Sequence, residues 1–251
     1  MNILSKHSSE KGSLIAVGGF QNEKDVCNKF NNWESDEDAQ KWLNIMEYKL
    51  DEIEYVKASV LHGYKADINV QIQIKLKSAI DTENIQVKLV SSSKGFNQID
   101  KRSLASYREM WNIPDDVYTL LQYFTGELPP RNSSTKSNKR MFVNEFSLCE
   151  QSVLLDWIKK NKSLITSDII RGRGRFSAEW VLVVRKTANT EWALKNINQV
   201  IQHYSFGDVR ISPRGSILIG KITMQRKGGD GGRETAKMLQ FKIDPSEIFN
   251  I

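Results

Sequence analysis

Three polar side chains on two nearby stretches of the sequence have the chemistry to bind a cation and act on a phosphate: Asp67, Gln86 and Lys88. Apolar residues alternate with polar ones over 68–76 and again over 85–90, and this period of two predicts a pair of strands. Successive side chains of a strand point to opposite faces. If the strands pair with their apolar faces together, the three polar groups share the other face.

Such a group could hydrolyse a phosphodiester. A hard divalent cation prefers oxygen ligands, and Asp67, the Gln86 amide and the Val87 carbonyl could supply them. The metal would polarise the phosphate and help to generate hydroxide, while Lys88 could orient the attacking water or stabilise developing negative charge. A solvated polar strand face would carry the same residue types, and the spacing alone favours that simpler alternative.

Glu23 adds a second carboxylate to the candidate catalytic residues. The spacing of Val26, Phe30 and Trp33 predicts a helix over 21–33, and Glu23 lies on its apolar stripe. A carboxylate that faces a core needs a partner or a metal. The alternative is that Glu23 lies in the first helical turn and favourably meets the helix dipole, and the sequence leaves both explanations open.

The other periodicities predict an α/β protein whose central mixed sheet is flanked by helices. Further helices are expected over 38–53, 100–111, 116–124, 145–160 and 196–204. Further strands are expected over 164–170, 178–186, 209–211, 217–226 and 239–243. Neither of the loops at 128–138 and 228–232 requires a domain boundary, so we expect a single domain spanning residues 1–251.

Composition excludes several classes of protein. The chain has 251 residues and only two cysteines, which excludes a disulfide framework and a four-cysteine zinc site. It shows no secretory signal, no bilayer-spanning stretch and no GxxxxGKS/T nucleotide loop, so we expect a cytoplasmic protein with no membrane partner. The net charge is +6, with basic excess over 131–175 and 210–242. That pattern is typical of a polyanion-binding protein, although a solvated surface explains it equally well.

Five segments together carry a resemblance to a known family. In chain order they are Gly19-Phe20-x-Asn22-Glu23-Lys24-Asp25, Asp67 with Gln86-Val87-Lys88, Lys94-Gly95-Phe96-Asn97-Gln98-Ile99-Asp100-Lys101, Phe124-Thr125-Gly126-Glu127-Leu128-Pro129-Pro130 and Gln225-Arg226-Lys227-Gly228-Gly229-Asp230. They closely resemble the HinP-type restriction endonuclease, which cuts GCGC and belongs to the PD-(D/E)XK nuclease superfamily. The likeness covers nearly the whole chain.

The resemblance implies a type II endonuclease that uses Mg²⁺ to cleave double-stranded DNA at GCGC, cutting after the first G to leave a 5′ CG overhang. It also implies a GCGC methyltransferase as functional counterpart, and it leaves monomer and homodimer open. Asp67 and Gln86 match the metal-ligand positions and Lys88 the catalytic lysine. The superfamily usually has an acidic residue where Gln86 stands, which leaves room for Glu23 or water as a further ligand. Ala66 stands where the HinP type has Ser.

The resemblance also implies DNA contacts around residue 96. Phe96 looks like a wedge that enters a base step, and Gln98 like a reader of base edges, with Lys101 beside them. On sequence alone, Phe96 would more simply be a buried aromatic.

A second candidate DNA contact lies at Gln225, Arg226 and Lys227. The sequence leaves open which of the three reads a base. Gln225 and Lys227 share a strand face with Lys221 and Thr223 if 217–226 is one strand. The Arg-Gly-Arg-Gly-Arg tract at 171–175 is compatible with either phosphate contact or a solvated turn.

Two alternatives to a restriction endonuclease remain at this point. Gln86 motivates a non-catalytic DNA-binding module with a degenerate nuclease fold. A structure-selective DNA repair nuclease of the same superfamily would share the fold and cut branched DNA whatever its sequence.

Overall fold

The protein is described here from a computed structural model that covers residues 18–74, 79–91, 95–229 and 233–251. Its contacts divide it into two compact units. The first unit is formed by the chain up to Gly95, by Arg171–Val200 and by Pro245–Ile251, and the second unit by Phe96–Ile170 and Ile201–Asp244. The expectation of a single domain stays a prediction.

The elements alternate between helix and strand, as an α/β protein requires. The helices are α1 (18–31), α2 (Glu37–Ile45), α3 (Leu104–Trp111), α4 (Asp115–Thr125), α5 (Leu148–Lys160), α6 (Lys162–Ile170) and α7 (Ile197–Ser205). The strands are β1 (Ile53–Val60), β2 (Ile68–Ile74), β3 (Ala79–Val90), β4 (Asn97–Arg102), β5 (Trp180–Lys186), β6 (Thr190–Asn196), β7 (Val209–Ile211), β8 (Ile217–Ile219), β9 (Ile222–Arg226) and β10 (Leu239–Ile243). Short 3₁₀ helices cover Leu50–Glu52, Val143–Glu145, Glu234–Lys237 and Pro245–Asn250.

The first unit is built on a mixed sheet with the strand order β1-β2-β3-β5-β6. The β3–β5 pair is parallel and the other pairs are antiparallel, so the predicted central mixed sheet is confirmed. One face packs against α1 and α2, where the fully buried Phe30 and Trp42 meet Ile68 and Ile85 of the sheet. Burial of each such side chain stabilises the fold by about 1.5–3 kcal/mol, which fixes β2 and β3 against the two helices.

The second unit contains an antiparallel sheet with the order β4-β10-β9-β8-β7. Its core includes Tyr107 and Trp111 of α3, whose stacked rings lie 4.5 Å apart, and both meet Phe241 of β10 edge-on. The Trp111 Nε1–H donates to Asp168 Oδ2 of α6 at 2.9 Å. This bond gives a buried carboxylate the donor that it needs.

Several predicted elements differ from the observed ones. The helix expected over 38–53 ends at Ile45, because Glu47 takes a positive φ of 69°, and β1 follows. The helix expected over 100–111 starts only at Leu104. Ser103 caps it by accepting from Ser106 N, and the residues before the cap form β4.

The strand expected over 164–170 is wrong, because this segment is α6. Its isoleucines Ile165, Ile169 and Ile170 are buried around the helix, and a short apolar run of this kind has no period that separates a buried helix from a strand. The single strand expected over 217–226 is two strands, β8 and β9, joined by a turn at Gly220 with φ 58°. A Cβ there would lie 2.7 Å from the Phe206 carbonyl oxygen.

Three strands, β1, β4 and β6, were not predicted. Residues 75–76 of the expected strand over 68–76 lie outside the described residues. Within the part of the chain that the structure describes, no helix is both long enough and apolar enough to span a bilayer.

Candidate active site

Asp67 lies directly before β2 and is held by β3. Its main-chain N–H donates to the Ile85 carbonyl at 2.9 Å, and its Oδ2 accepts from the Val87 N–H at 2.7 Å. The β2–β3 register pairs Ile68 with Ile85, so Asp67 continues that register opposite Gln86. Beyond the Ile68–Ile85 pair, the Val87 N–H thus donates to the Asp67 carboxylate instead of to a main-chain carbonyl. This bond fixes the position of the carboxylate.

Lys88 lies beside this carboxylate. Its Nζ is 3.9 Å from Asp67 Oδ2, and about a fifth of each side chain is exposed. The structure therefore brings together the carboxylate and the ammonium group that the alternation predicted, and it leaves both accessible to a ligand.

Gln86 is almost fully buried, with 2% of its surface exposed. Its Nε2 donates to the Lys65 carbonyl at 3.4 Å. Its Oε1 has no hydrogen-bond partner among the described residues. A buried acceptor without a donor costs about 1–3 kcal/mol, so this oxygen is suited to a ligand that the protein chain does not itself supply.

The polar face that carries these groups is buried rather than solvated. Asn69 and Asn84, opposite each other in the β2–β3 register, are both buried, and Asn69 Nδ2 donates to Asn84 Oδ1 at 3.0 Å. The alternative of a solvated strand face is therefore wrong. Asp67 and Lys88 are the partly exposed members of this face, each with about a fifth of its side chain exposed.

Glu23 of α1 is electrostatically linked to the same site. Burial and, next, the negative charge of Asp67 raise the pKa of the Glu23 carboxyl, the positive charge of Lys88 lowers it, and the net pKa is about 7. Because α1 is already helical at residue 18, Glu23 lies beyond the first turn, and the helix-dipole explanation is wrong. Burial, together with Glu23, also raises the pKa of the neighbouring Cys27 thiol to about 11.

The oxygen donors of this site suit a hard cation. Asp67 Oδ1 is not used by the Val87 bond, Gln86 Oε1 lacks a donor, and Glu23 supplies a second carboxylate. No group of three or more His, Cys, Asp or Glu side chains arranged for a metal occurs in the described ranges. The candidate site does not form such a group, because one of its oxygen donors is the Gln86 amide. The Val87 carbonyl remains a predicted ligand.

The predicted DNA-contacting residues of the second unit divide between two strands that flank β10. Phe96 precedes β4 and is 63% exposed, so the alternative of a buried aromatic is wrong. Gln98 is exposed and Lys101 partly exposed on β4. Lys94 and Asp230 of the two motifs lie outside the described residues.

An irregularity in the β4–β10 pair places Gln98 and Lys101 on one face, although they are three residues apart. Lys101 pairs with Gln240, and Gln98 pairs with Lys242 after a register shift. Since paired residues share a face, the shift compensates for the odd spacing. Gln225 of β9 pairs with Gln240 from the other side. Gln98, Lys101 and Gln225 therefore share one polar face across three strands.

Arg226 points to the opposite face of β9 from Gln225, since side chains alternate, and the residue after it, Lys227, donates its N–H to the Met238 carbonyl at 2.8 Å. Arg226 Nε is buried and lacks a hydrogen-bond partner within the described ranges. Lys221 lies in the turn before β9, so the expected face keeps Thr223 and Gln225 but loses Lys221 from the strand.

Sequence reasoning missed the groups that surround Arg226. A cavity of about 640 Å³ is lined by Arg226, Lys139 and Lys237, with Glu127 as its acidic side chain. Burial and, next, the charge of Arg226 lower the pKa of the Arg140 guanidinium, the charge of Glu145 raises it, and the net pKa is about 10. Arg140 and Arg226 are 86 residues apart, and only the basic excess of the segment 131–175 hinted at their meeting.

The fold is that of a restriction endonuclease. The crystal structure of restriction endonuclease MspI in complex with its cognate DNA matches 93% of this chain and 92% of its own, with a TM-score of 0.64 and 16% sequence identity. The sequence model for the R.HinP1I restriction endonuclease matches residues 46–249. The chain belongs to the R.HinP1I restriction endonuclease family, and it is a type II site-specific deoxyribonuclease.

These comparisons confirm the resemblance seen in the sequence and the predicted fold class. Asp67, Gln86, Lys88 and the predicted DNA contacts lie inside the matched range, whereas Glu23 precedes it. No curated protein sequence matches the chain significantly. Type II restriction endonucleases generally use divalent metal ions.

Proposed function

We propose that the chain cleaves double-stranded DNA at GCGC with Mg²⁺, after the first G, to leave a 5′ CG overhang. One observation carries the proposal of the catalytic centre. The Asp67 carboxylate, fixed by the Val87 N–H, lies 3.9 Å from Lys88 Nζ and across the register from Gln86, whose buried amide oxygen has no donor in the part of the chain that the structure describes. The choice of GCGC rests on the motif resemblance to the HinP type and is supported by membership of the R.HinP1I family.

We propose that Asp67, Gln86 Oε1 and the Val87 carbonyl hold the metal ion, with Glu23 as a fourth oxygen donor. A bound divalent cation supplies a Lewis acid and lowers the pKa of a coordinated water. Hard cations take oxygen ligands of this kind. The neutral amide of Gln86 contributes less attraction than a carboxylate, and the proximity of Glu23 restores part of the missing negative charge.

The side chains themselves have separate roles in the proposed reaction. The Val87 N–H orients the Asp67 carboxylate by its bond to Oδ2, which leaves Oδ1 for a ligand. The Lys88 ammonium offers hydrogen bonds to the scissile phosphate and stabilises the negative charge that develops there. The covered polar face around Gln86 excludes water from one side of the site, which strengthens these interactions.

Sequence recognition is proposed for the second unit. The exposed Phe96 ring is available as a wedge between base pairs. Gln98 and Gln225 carry amides that suit base edges, while Lys101 and Lys227 suit phosphates. Arg226, a partly buried residue whose Nε is buried and has no hydrogen-bond partner among the described residues, is proposed to contact the DNA through the basic cavity. Double-stranded DNA as partner is supported by the MspI structure, which holds its cognate DNA.

The same proposal includes a cytoplasmic setting and a GCGC methyltransferase as counterpart, because an unopposed cutter of a four-base site would destroy its host's DNA. It holds for a monomer and for a homodimer. Family membership favours site-specific cleavage over both the non-catalytic module and the structure-selective repair nuclease.

A digest of a sequenced plasmid tests the proposal. Incubation with Mg²⁺ is expected to give fragments whose ends map to the first G of every GCGC, while EDTA prevents cutting. A digest in which GCGC sites stay intact over a range of divalent metals, or in which cuts fall elsewhere, contradicts it. Cutting of branched DNA without regard to GCGC would support the repair nuclease instead.

A further inference from the structure

Residues 171–175 form a basic loop that has no role in the proposed catalytic or recognition site. Arg171, Arg173 and Arg175 are separated by single glycines and are all exposed. The loop lies between α6 and β5 and belongs to the first unit, like Asp67. Its sequence is compatible with a solvated turn and with a phosphate contact. The position of the loop distinguishes these two explanations.

The loop is bonded to the residues that build the candidate active site. The Arg175 carbonyl accepts from Asn84 Nδ2 at 3.2 Å, and Asn84 shares the buried face with Gln86. The Phe176 carbonyl accepts from the Ala66 N–H at 3.3 Å, and Ala66 is the residue before Asp67. The arginines are thus anchored within a few residues of the proposed metal ligands, unlike those of a solvated turn.

A second contact fixes the loop to the chain that leads into Asp67. The rings of Phe176 and Tyr64 lie 4.4 Å apart. Gly172 has φ 82°, and a Cβ there would lie 2.6 Å from Lys65 Cβ. Only glycine accepts both this conformation and this approach, and it brings the arginine loop against the stem of Lys65.

Two arginines of the loop, Arg171 and Arg175, carry positive charge without a carboxylate partner among the described residues. The Arg175 guanidinium lies 5.4 Å from the Phe176 ring. Residues 171–175 include no acidic side chain. Cations held in this way form a complementary surface for a polyanion such as the DNA backbone.

We propose that Arg171, Arg173 and Arg175 bind phosphates of the DNA strand beside the bond that Asp67 and Lys88 cleave. The inference rests on the proposed function, because it takes the Asp67 site as the place of cleavage. Phosphate contacts of this kind fix register and orientation and carry no sequence information. The loop therefore positions the strand, and base recognition remains with the second unit.

Salt dependence of DNA binding tests the proposal in the full-length protein. Wild type and the Arg171→Gln/Arg175→Gln variant are compared by fluorescence anisotropy with Ca²⁺, on a GCGC duplex and on a duplex of scrambled sequence, from 50 to 200 mM salt. Loss of two phosphate contacts lowers the slope of log affinity against log salt by about 1.8. At 150 mM salt this corresponds to roughly thirtyfold weaker binding of both duplexes.

Two matched variants separate charge at the loop from charge in general. Lys41→Gln/Lys57→Gln removes two exposed cations from α2 and β1 of the same unit and is expected to keep the wild-type slope. Arg171→Lys/Arg175→Lys keeps the charges and is expected to retain most of it. The single variants Arg171→Gln and Arg175→Gln, each expected to lose about 0.9 of the slope, serve if the double variant does not fold.

The outcomes distinguish this inference from the proposed function. If wild type cuts GCGC while the arginine variants keep its slope and affinity, or if the Lys41/Lys57 control loses as much, the inference is overturned and the proposed function stands. If the wild-type protein does not cut GCGC, the proposed function is contradicted, whatever the salt slopes of the arginine variants.

Discussion

The Asp67 carboxylate accepts a hydrogen bond from the main-chain N–H of Val87, at 2.7 Å, across the point where β2 and β3 cease to pair. One oxygen of the side chain thus serves the fold, and the other is free for chemistry. This division makes it possible to separate the structural role of Asp67 from its proposed catalytic role by substitution.

Asp67→Asn is expected to fold normally and to lose cleavage. An amide oxygen can still accept from the Val87 N–H, but the charge that would attract a cation is gone. We expect the cleavage rate to fall by at least about a thousandfold, an effect of several kcal/mol on the barrier, with little change in melting temperature. Single-turnover cleavage of a GCGC duplex and thermal unfolding measure the two effects.

Asp67→Ala serves as the matched comparison, because it also removes the acceptor for Val87. It should lose the same activity and, in addition, about 1 kcal/mol of stability. Retention of cleavage by Asp67→Asn would contradict the assignment of Asp67 as a metal ligand.

Gln86 offers a test of the amide as a ligand. Gln86→Glu places a third carboxylate next to Asp67 and Glu23, so without metal it should destabilise the protein by mutual repulsion. With Mg²⁺ it should gain more stability than wild type, because the stabilisation grows with affinity for the ion. Thermal unfolding in EDTA and over a Mg²⁺ titration measures both effects.

Gln86→Leu removes the unpaired buried oxygen together with the bond to the Lys65 carbonyl. It should abolish the stabilisation by Mg²⁺ and the cleavage, while the stability in EDTA changes little because removal of the unpaired oxygen offsets loss of the bond to Lys65. An equal response to Mg²⁺ in wild type, Gln86→Glu and Gln86→Leu would exclude Gln86 from the metal site.

The proposed catalytic residues were accessible from the sequence because strand alternation is a local pattern. Gln86 and Lys88 lie on β3 and Asp67 directly precedes β2, and the period of two in these strands assigns their faces. The burial of their polar face was not accessible, since it depends on the chain at Phe176 and Arg175, about ninety residues away. Glu23 illustrates the same limit: its helix was predicted, but its position beside Asp67 depends on how α1 packs.

The second unit shows a different limit. A strict alternation would put Gln98 and Lys101 on opposite faces, and only the register shift between β4 and β10 brings them together. The wrong prediction of a strand over 164–170, which is α6, also has a physical cause. Ile165 and Ile169 are buried on a helix whose sequence has no separate polar face. Neither tertiary feature leaves a signal in the local periodicity.

The shared face of Gln98 and Lys101 leads to a prediction about specificity. Gln98→Ala should weaken discrimination between GCGC and singly substituted sites by about 1–3 kcal/mol, the range for a bidentate base contact. Lys101→Gln should weaken binding to all duplexes alike and lower the salt slope by about 0.9. Cleavage rates and affinities over a panel of substituted duplexes separate the two effects.

Lys242→Gln is the control for both variants. It removes a lysine, as Lys101→Gln does, and Lys242 of β10 pairs with Gln98. If Lys242→Gln changes discrimination as much as Gln98→Ala does, the assignment of Gln98 as the reader of base edges is wrong. If Gln98→Ala leaves discrimination unchanged, base recognition must lie with Gln225 or Arg226.

Glu83 of β3 predicts a pH dependence of stability. Burial raises the pKa of the Glu83 carboxyl, hydrogen bonds from Trp180 and Tyr48 lower it, the charges of Glu179 and Asp81 raise it, and the net pKa is about 7. The Tyr48 hydroxyl lies 2.7 Å from Asp81 Oδ2 and 3.0 Å from Glu83 Oε1. Its single hydrogen can serve only one of these acceptors, so a proton on Glu83 completes the second hydrogen bond.

The sign of the effect follows from the raised pKa. The folded protein binds a proton at Glu83 more tightly than the unfolded chain does, so this contribution to stability is complete below about pH 4.5 and is lost as the pH rises through 7. Glu83→Gln does not titrate and keeps a donor for Tyr48. The free energy of unfolding from urea titrations at pH 5, 6, 7 and 8 should therefore fall less steeply in this variant than in wild type. Glu23 contributes in the same direction, so Glu23→Gln is measured in parallel. Equal pH slopes for Glu83→Gln and wild type would show that Glu83 does not carry the proton.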